Sequence, residues 1–401
     1  MTTSTKPLSL PQVLVCGAVI VTMSMGIRHG FGLWLQPITA DRGWNRETFA
    51  FALAVQNLAW GLAGPFAGAL ADRWGAFRVL AVGSVLYAGG LVVMGLAASG
   101  AAFLGGAGVM LGMAQAGTTY AIVYGVIGRN VAPARHSWAM GITAAAGSFG
   151  QFLMVPIEGS LIGSVGWQDA LFVCAALALV IVPFAFGLRE PKHAPATTTQ
   201  QSIGGATREA FGDRSFQLLT AGYFVCGFQV VFIGVHMPSY LKDHGLQPHV
   251  ATTALALIGL FNVFGTYLAG MLGGVLPKKY LLSTIYALRS LAIVAFVVAP
   301  LTPWSVYLFA ATIGFLWLST VPLTNGIVAE IFGVRYLSML GGFVFLSHQV
   351  GSFLGVWLGG RLYDATGSYD VVWWIAVALG VLAALVNLPI NERAILRPAA
   401  A

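Results

Sequence analysis

REPKHAPATTTQQSIGGATREAFGDR, residues 189–214, is a polar segment in the middle of an apolar chain. Outward from it in both directions, runs of about 20 mostly apolar residues alternate with short polar turns. At 1.5 Å per residue, each run is long enough to cross a hydrocarbon core of about 30 Å. On the N-terminal side the pattern predicts helices over 12–38, 48–70, 78–98, 103–128, 137–163 and 167–188. On the C-terminal side it predicts 215–241, 249–276, 279–299, 303–330, 337–362 and 370–390. The reading is an all-α membrane protein of 12 transmembrane helices. Residues 1–188 form an N-terminal six-helix bundle, 189–214 a cytoplasmic linker, and 215–401 a C-terminal six-helix bundle.

Composition leads the same way. The chain is 58% hydrophobic and 8% charged, against roughly a quarter charged for a soluble domain. A soluble fold of this size has nowhere to hide that much apolar surface, whereas a bilayer accepts it. The 51 glycines suit membrane helices that pack closely through small residues. Cys16, Cys174 and Cys226 all fall in apolar runs without metal-ligand spacing, and read as small buried hydrophobes. The first ten residues carry only Lys6, and the apolar run behind them is too long for a signal-peptide core. An uncleaved first span is expected.

Basic residues set the orientation. With both termini inside, the inner loops and ends hold Lys6, Arg73, Arg78, Arg129, Arg135, Arg189, Lys192, Arg208, Arg214, Lys278, Lys279, Arg335, Arg393 and Arg397. The outer loops hold Arg42, Arg46, Lys242 and Arg361. A multi-pass inner (plasma) membrane protein with cytoplasmic termini is expected. The net charge of +7 is loop charge of this kind, and no nucleic acid is implied.

The two sides of the central segment repeat at an offset of 201 or 202 residues. Gly26, Pro37, Asp41 and Gly43 align with Gly227, Pro238, Asp243 and Gly245. Gly68 and Gly125 align with Gly270 and Gly326. Gly141, Gly150, Gly159 and Gly166 align with Gly342, Gly351, Gly360 and Gly367. Repeated glycines predict the same close contacts and turns in both bundles. Two bundles in parallel repeat predict a cavity between them and access that alternates by rocking.

Residues 68–78, GALADRWGAFR, resemble the loop signature of the major facilitator superfamily. Asp72 can cap or pair at a helix end, Arg73 and Arg78 hold the inner surface, and Gly68 and Gly75 allow a tight turn. These five are the expected conformational switch. The matching loop GMLGGVLPKKY (270–280) lacks the Asp. Within the superfamily, RHSWAMGITAAAGSFGQFLMVP (135–156) and GGRLYDATGSYD (359–370) are similar to the monocarboxylate and oxalate/formate branch. That branch often holds its substrate carboxylate with a helix-8 arginine four residues after an asparagine; here Asn262 is followed by Thr266. Either the anion is held elsewhere or the substrate differs.

Charge within the spans needs a reason, because Arg or Lys at mid-bilayer costs about 2.5–3.5 kcal/mol on insertion scales. Arg28 falls about 16 residues, roughly 24 Å, along the first helix, which lines the cavity in the family resembled. Its planar guanidinium matches a carboxylate; the alternative is snorkelling or bracing. Arg289, on the more peripheral ninth helix, suggests bracing, with Glu330 as a candidate partner. His348 lies near mid-depth and could accept an anion or carry a proton. Glu158 reads as a rim carboxylate or a proton site. His236 reads as a gate or surface residue. Gln56, Asn57, Gln115, Tyr120, Tyr124, Asn262, Trp317 and Asn325 are uncharged candidates, any of which could only glue helices. The substrate-binding set is thus Arg28, Tyr120, Asn262, Trp317 and His348, with His348 and Glu158 for proton coupling.

The function expected is secondary transport of a small organic anion, a monocarboxylate, by proton symport or anion exchange. The chain is read as a monomer with no cofactor and no metal. The rivals are a proton-driven exporter of amphiphilic compounds and a non-transporting nutrient sensor. Scarce acidic cavity residues and the lack of Gly-Pro on the fifth helix (Pro156 follows Val155) oppose the first. The short linker and ends leave no room for a signalling domain. No nucleophile elbow, metal cluster, P-loop or Rossmann pattern supports an enzyme.

Overall fold

A computed structural model of the chain describes residues 8–132, 135–190, 203–333 and 337–395. Lys6, Lys192, Arg335 and Arg397 of the orientation count lie outside it. Among the described residues, twelve helices are long and apolar enough to span a membrane: α1 (Leu10–Arg42), α2 (Arg46–Ala71), α3 (Ala76–Leu96), α4 (Gly100–Asn130), α5 (Trp138–Val165), α6 (Trp167–Phe186), α7 (Arg214–Asp243), α8 (Pro248–Gly273), α9 (Lys278–Val298), α10 (Pro303–Phe332), α11 (Met339–Thr366) and α12 (Asp370–Asn387). Among the described residues there is no strand. Within the polar central segment, Ile203–Gly212 form a short helix that the sequence pattern does not announce. The helices start where side chains take up orphan N–H groups. Asn45 caps α2 through Thr48 N at 3.0 Å, and Asp213 caps α7 through Phe216 N at 2.9 Å.

The first bundle packs α1 on α5, α2 on α4, and α3 on α4 and α6. The second packs α7 on α11, α8 on α10, and α9 on α12. Repeated glycines make the matching crossings. A Cβ on Gly150 (α5) would stand 2.4 Å from the Thr22 carbonyl oxygen of α1, and one on Gly351 (α11) 1.9 Å from that of Phe224 on α7. These contacts admit only backbone against backbone. The turns repeat too: Gly166 and Gly367 both adopt positive φ, at 87° and 73°. Large apolar side chains such as Phe66 and Trp304, 72% and 81% exposed, cover the outside, as a lipid-facing surface requires.

The bundles meet along two long seams, α2 with α11 and α5 with α8, and where α1 approaches α7. Several spans are interrupted. α1 pauses at Gly30 and passes through a 3₁₀ turn, Phe31–Trp34. α4 contains a π segment, Leu104–Met110, and breaks at Thr119, whose backbone is extended. α10 stops at Leu316 and resumes at Thr320. The hydropathy pattern fixes that a segment spans, but not whether it does so unbroken.

Candidate substrate and coupling sites

The proximal end is the one where α1 begins and α12 ends; the other is distal. Arg28 sits past the middle of α1, half-buried. Its Nε donates to Gln115 Oε1 at 3.3 Å on α4, and its Nη2 donates to Asn57 Oδ1 on α2. The Trp60 ring lies under it, 4.8 Å from guanidinium carbon to centroid. Among the described residues no carboxylate forms an ion pair with Arg28. Its immediate partners are two neutral amides and a π face.

Those amides are held from behind. Gln115 Nε2 donates to Gln56 Oε1 at 3.4 Å, and Gln56 Nε2 donates to the Ala107 carbonyl at 2.8 Å. Asn57 Nδ2 donates to Leu53 O at 2.8 Å. From the second bundle, Gln349 Nε2 donates to Asn57 O at 3.0 Å. Tyr120 tilts against Tyr124 at 5.8 Å. Trp60 meets Phe345 of α11 edge-on at 5.2 Å. The guanidinium is thus held by two amides and an aromatic face of the first bundle, two of which, Asn57 and Trp60, are backed by Gln349 and Phe345 of the second.

The other candidates fall elsewhere. Glu158 is fully buried, and neither carboxylate oxygen has a hydrogen-bond partner. It is therefore no rim residue. It packs on the α1 interruption so closely that a Cβ on Gly30 would fall 1.3 Å from its Oε2. His348 is buried between α7 and α11. Its Nδ1 lies 3.1 Å from Gln349 Oε1 and 3.4 Å from Ser352 Oγ, and its ring lies between Tyr223 and Phe345. Asn262 is 2% exposed and engaged at both ends of its amide: Nδ2 donates to Ser148 Oγ at 2.8 Å, while Oδ1 accepts from Thr266 Oγ1 and Leu318 N, both at 3.0 Å. Trp317 is buried with an unpartnered indole N–H. No hydrogen bond or ring contact among the described residues joins Asn262, Trp317 or His348 directly to Arg28. Asn325 is exposed on α10.

Glu330 does not pair with Arg289, as the sequence suggested; it pairs with Lys278. Arg289 is 1% exposed and donates to backbone carbonyls at the α10 interruption. His236 is neither a surface residue nor free. It is buried, with Nε2 2.8 Å from Val356 O and Nδ1 3.3 Å from Tyr369 Oη. In the 68–78 stretch only Gly75 makes the turn, at φ 89°. Gly68 lies inside the helix, Arg73 and Arg78 are exposed, and the Asp72 side chain lies outside what is described.

A distal ion-pair network escapes sequence reading. Arg46 Nη1 and Nη2 grip Asp243 of the second bundle at 2.6 and 2.7 Å, and the guanidinium stacks on Tyr363 at 3.7 Å. Nη1 also donates to Tyr369 Oη at 2.9 Å; burial pushes that phenol's pKa above the ordinary tyrosine range. Asp364 caps the start of α2, accepting from Arg46 N at 3.1 Å and Glu47 N at 2.7 Å. Glu47 accepts from Trp357 and Arg361. Asp243 appears in the sequence only as the repeat mate of Asp41, which pairs locally with Arg42 at 3.8 Å. Hydrogen bonds and ion pairs between described residues of the two bundles all lie at mid-depth or toward the distal end. This conformation is latched distally.

A family model described as Major Facilitator Superfamily matches residues 14–355. The chain belongs to the major facilitator superfamily. Proteins of this family carry cargo unchanged, so the chain is a membrane transporter and not an enzyme. It is 27% identical to mouse (Mus musculus) monocarboxylate transporter 11, over 87% of this chain and 80% of that one. It is also 27% identical to a Cupriavidus necator protein described as a probable sulfoacetate transporter, SauU, over 91% of this chain and 87% of that one. The fold matches the crystal structure of a bacterial homologue of the human lysosomal transporter Spinster, with a TM-score of 0.74 at 16% identity, covering 94% and 95% of the two chains.

Proposed function

We propose that this major facilitator protein carries a small monocarboxylate by alternating access, in symport with protons or in exchange for another anion. The observation that carries the reading is Arg28, a half-buried guanidinium bonded only to neutral amides. A carboxylate offers it two charged acceptors in place of two neutral ones, in the bidentate geometry that a guanidinium matches. One such cation suits one carboxylate. Trp60, Tyr120 and Phe345 suit an apolar body. The name of the mouse relative, a monocarboxylate transporter, points the same way, and that of the Cupriavidus relative, a probable sulfoacetate transporter, supports an organic anion.

With cytoplasmic termini, as the basic loops favour, the distal latch faces outward and the anion meets Arg28 from the cytoplasmic side. Binding displaces Asn57 Oδ1 from the guanidinium. The backbone carbonyl of Asn57 accepts from Gln349 of the second bundle, so the residue that the anion displaces sits at the α2–α11 seam. Glu158 is the proton carrier favoured by its surroundings: an ionised carboxylate with neither donor nor cation costs several kcal/mol in an apolar interior, and the neutral acid costs far less. His348, already engaged by Gln349 and Ser352, is the second candidate. We assign the loop of Gly68, Asp72, Arg73, Gly75 and Arg78 to the conformational switch.

Thermal unfolding of the purified protein against monocarboxylates, dicarboxylates and organic cations tests the class. Monocarboxylates should stabilise the wild type, and Arg28→Ala should abolish the shift. Stabilisation by cations alone, or an undiminished carboxylate shift in Arg28→Ala, would refute the reading.

A further inference from the structure

We propose that Arg289 is a positioning residue for transport: it holds open an unwound turn in the middle of α10 and thereby sets the α5–α8 seam. The inference rests on the chain being an alternating-access carrier, but not on which anion it carries.

The turn spans Trp317 to Ser319, between the α-helices Pro303–Leu316 and Thr320–Phe332. A helix that stops in an apolar interior leaves carbonyls without partners and a partial negative charge at its end. Arg289 answers both. Its Nε and Nη2 donate to Leu316 O at 3.0 and 2.6 Å, and Nη2 also donates to Trp317 O. Nη1 reaches Cys226 Sγ of α7 at 3.4 Å. Among the described residues no carboxylate pairs with this guanidinium; the end of the half-helix serves as its countercharge.

The same turn is tied to the other bundle. Leu318 N donates to Asn262 Oδ1, and Asn262 Nδ2 donates to Ser148 Oγ on α5. A short chain of bonds therefore runs from α9 through the α10 turn and α8 into the first bundle. If α10 straightened, Leu316 O and Trp317 O would regain helical N–H partners and Arg289 would lose its own. Rocking at the α5–α8 seam would strain Ser148–Asn262. The turn is thus an element with two arrangements that both bundles bias.

The internal repeat sharpens the point. Ser24 Oγ meets Thr118 Oγ1 at 2.9 Å in the first bundle, and Cys226 Sγ meets Thr320 Oγ1 at 3.4 Å in the second. The mates stand 202 residues apart, and at the same offset Arg289 matches Tyr87, which donates to Ser24 O at 3.1 Å. α4 breaks near the matching depth, at Thr119, yet the hydroxyl of Tyr87 is spent on the α1 carbonyl of Ser24 and not on the carbonyls of that break. The first bundle keeps its membrane-depth cation, Arg28, beside the amides of the substrate site; the second commits Arg289 to a backbone turn.

The test combines carboxylate transport in proteoliposomes with backbone hydrogen exchange of the protein measured without substrate. Arg289→Gln should lower maximal turnover about tenfold and leave the half-saturating concentration within about twofold. It should slow exchange over 314–322, where the released turn closes into helix, and speed it over 258–266, where Asn262 loses Leu318 N. Arg289→Lys, which keeps the charge but not the fork, should be intermediate. Asn262→Leu, which removes the acceptor of Leu318 N, should speed exchange over 314–322 with Arg289 intact, and Arg289→Lys carries the test if Arg289→Gln does not fold. Wild-type exchange in these segments, or a loss of affinity at unchanged turnover, would overturn the proposal. If no carboxylate is bound or moved even by the wild type, the anion reading fails, and the substrate-free exchange still judges Arg289.

Discussion

Arg28 and Glu158 are opposite cases of the same rule: a charge in an apolar interior must be partnered, solvated or neutralised. Arg28 is partnered by amides that cannot neutralise it, which on our proposal leaves it ready for an anion. Glu158 has no hydrogen-bond partner in this conformation, which suits the neutral acid. Glu158→Gln should then fold at least as well as wild type and retain anion exchange in proteoliposomes. Its net uptake should no longer respond to an imposed pH gradient; a preserved response would remove Glu158 from proton coupling. Gly30→Ala presses a methyl into the carboxyl's place and should cost about 1–3 kcal/mol by overpacking, read as a lowered unfolding temperature. Arg28 is legible in the sequence because a guanidinium within an apolar run stands out. Its partners are not, since Asn57 and Gln115 lie 29 and 87 residues away and only packing brings them together. Glu158 reads as a rim residue from its distance along α5; its burial depends on the pause in α1.

At the level of helices, the spans and their repeat follow from hydropathy and glycine spacing, because a bilayer forces length and polarity on every crossing. The interruptions in α1, α4 and α10 do not follow. They depend on what satisfies the freed backbone groups, and for α10 that is Arg289 and Asn262 from other helices. The distal latch is likewise illegible, because α2, α7 and α11 are far apart along the chain. A buried or half-buried bidentate pair inside a network outweighs a lone surface pair. Arg46→Asp should weaken the latch, increase distal accessibility to a membrane-impermeant thiol reagent at an introduced cysteine, and be rescued in part by Asp243→Arg. Unchanged labelling in Arg46→Asp would mean that the seam closes without this pair.

Across the whole molecule, two bundles built from one repeated plan have diverged in where they place charge. The first presents its cation among neutral amides beside the seam, and the second buries its cation in a helix break. The ion pairs around Arg46 and Asp243 join the two bundles at the distal end, and alternating access, as we propose it, requires that Arg28 be approached from one side at a time. The most direct measurement is calorimetric binding of a stabilising monocarboxylate to the wild type and to Arg28→Ala, with the Glu158→Gln variant as a folded control. The expected result is affinity weakened roughly ten- to a hundred-fold by Arg28→Ala and retained by Glu158→Gln. Equal affinity in the wild type and Arg28→Ala would contradict the assignment of Arg28 as the anion site.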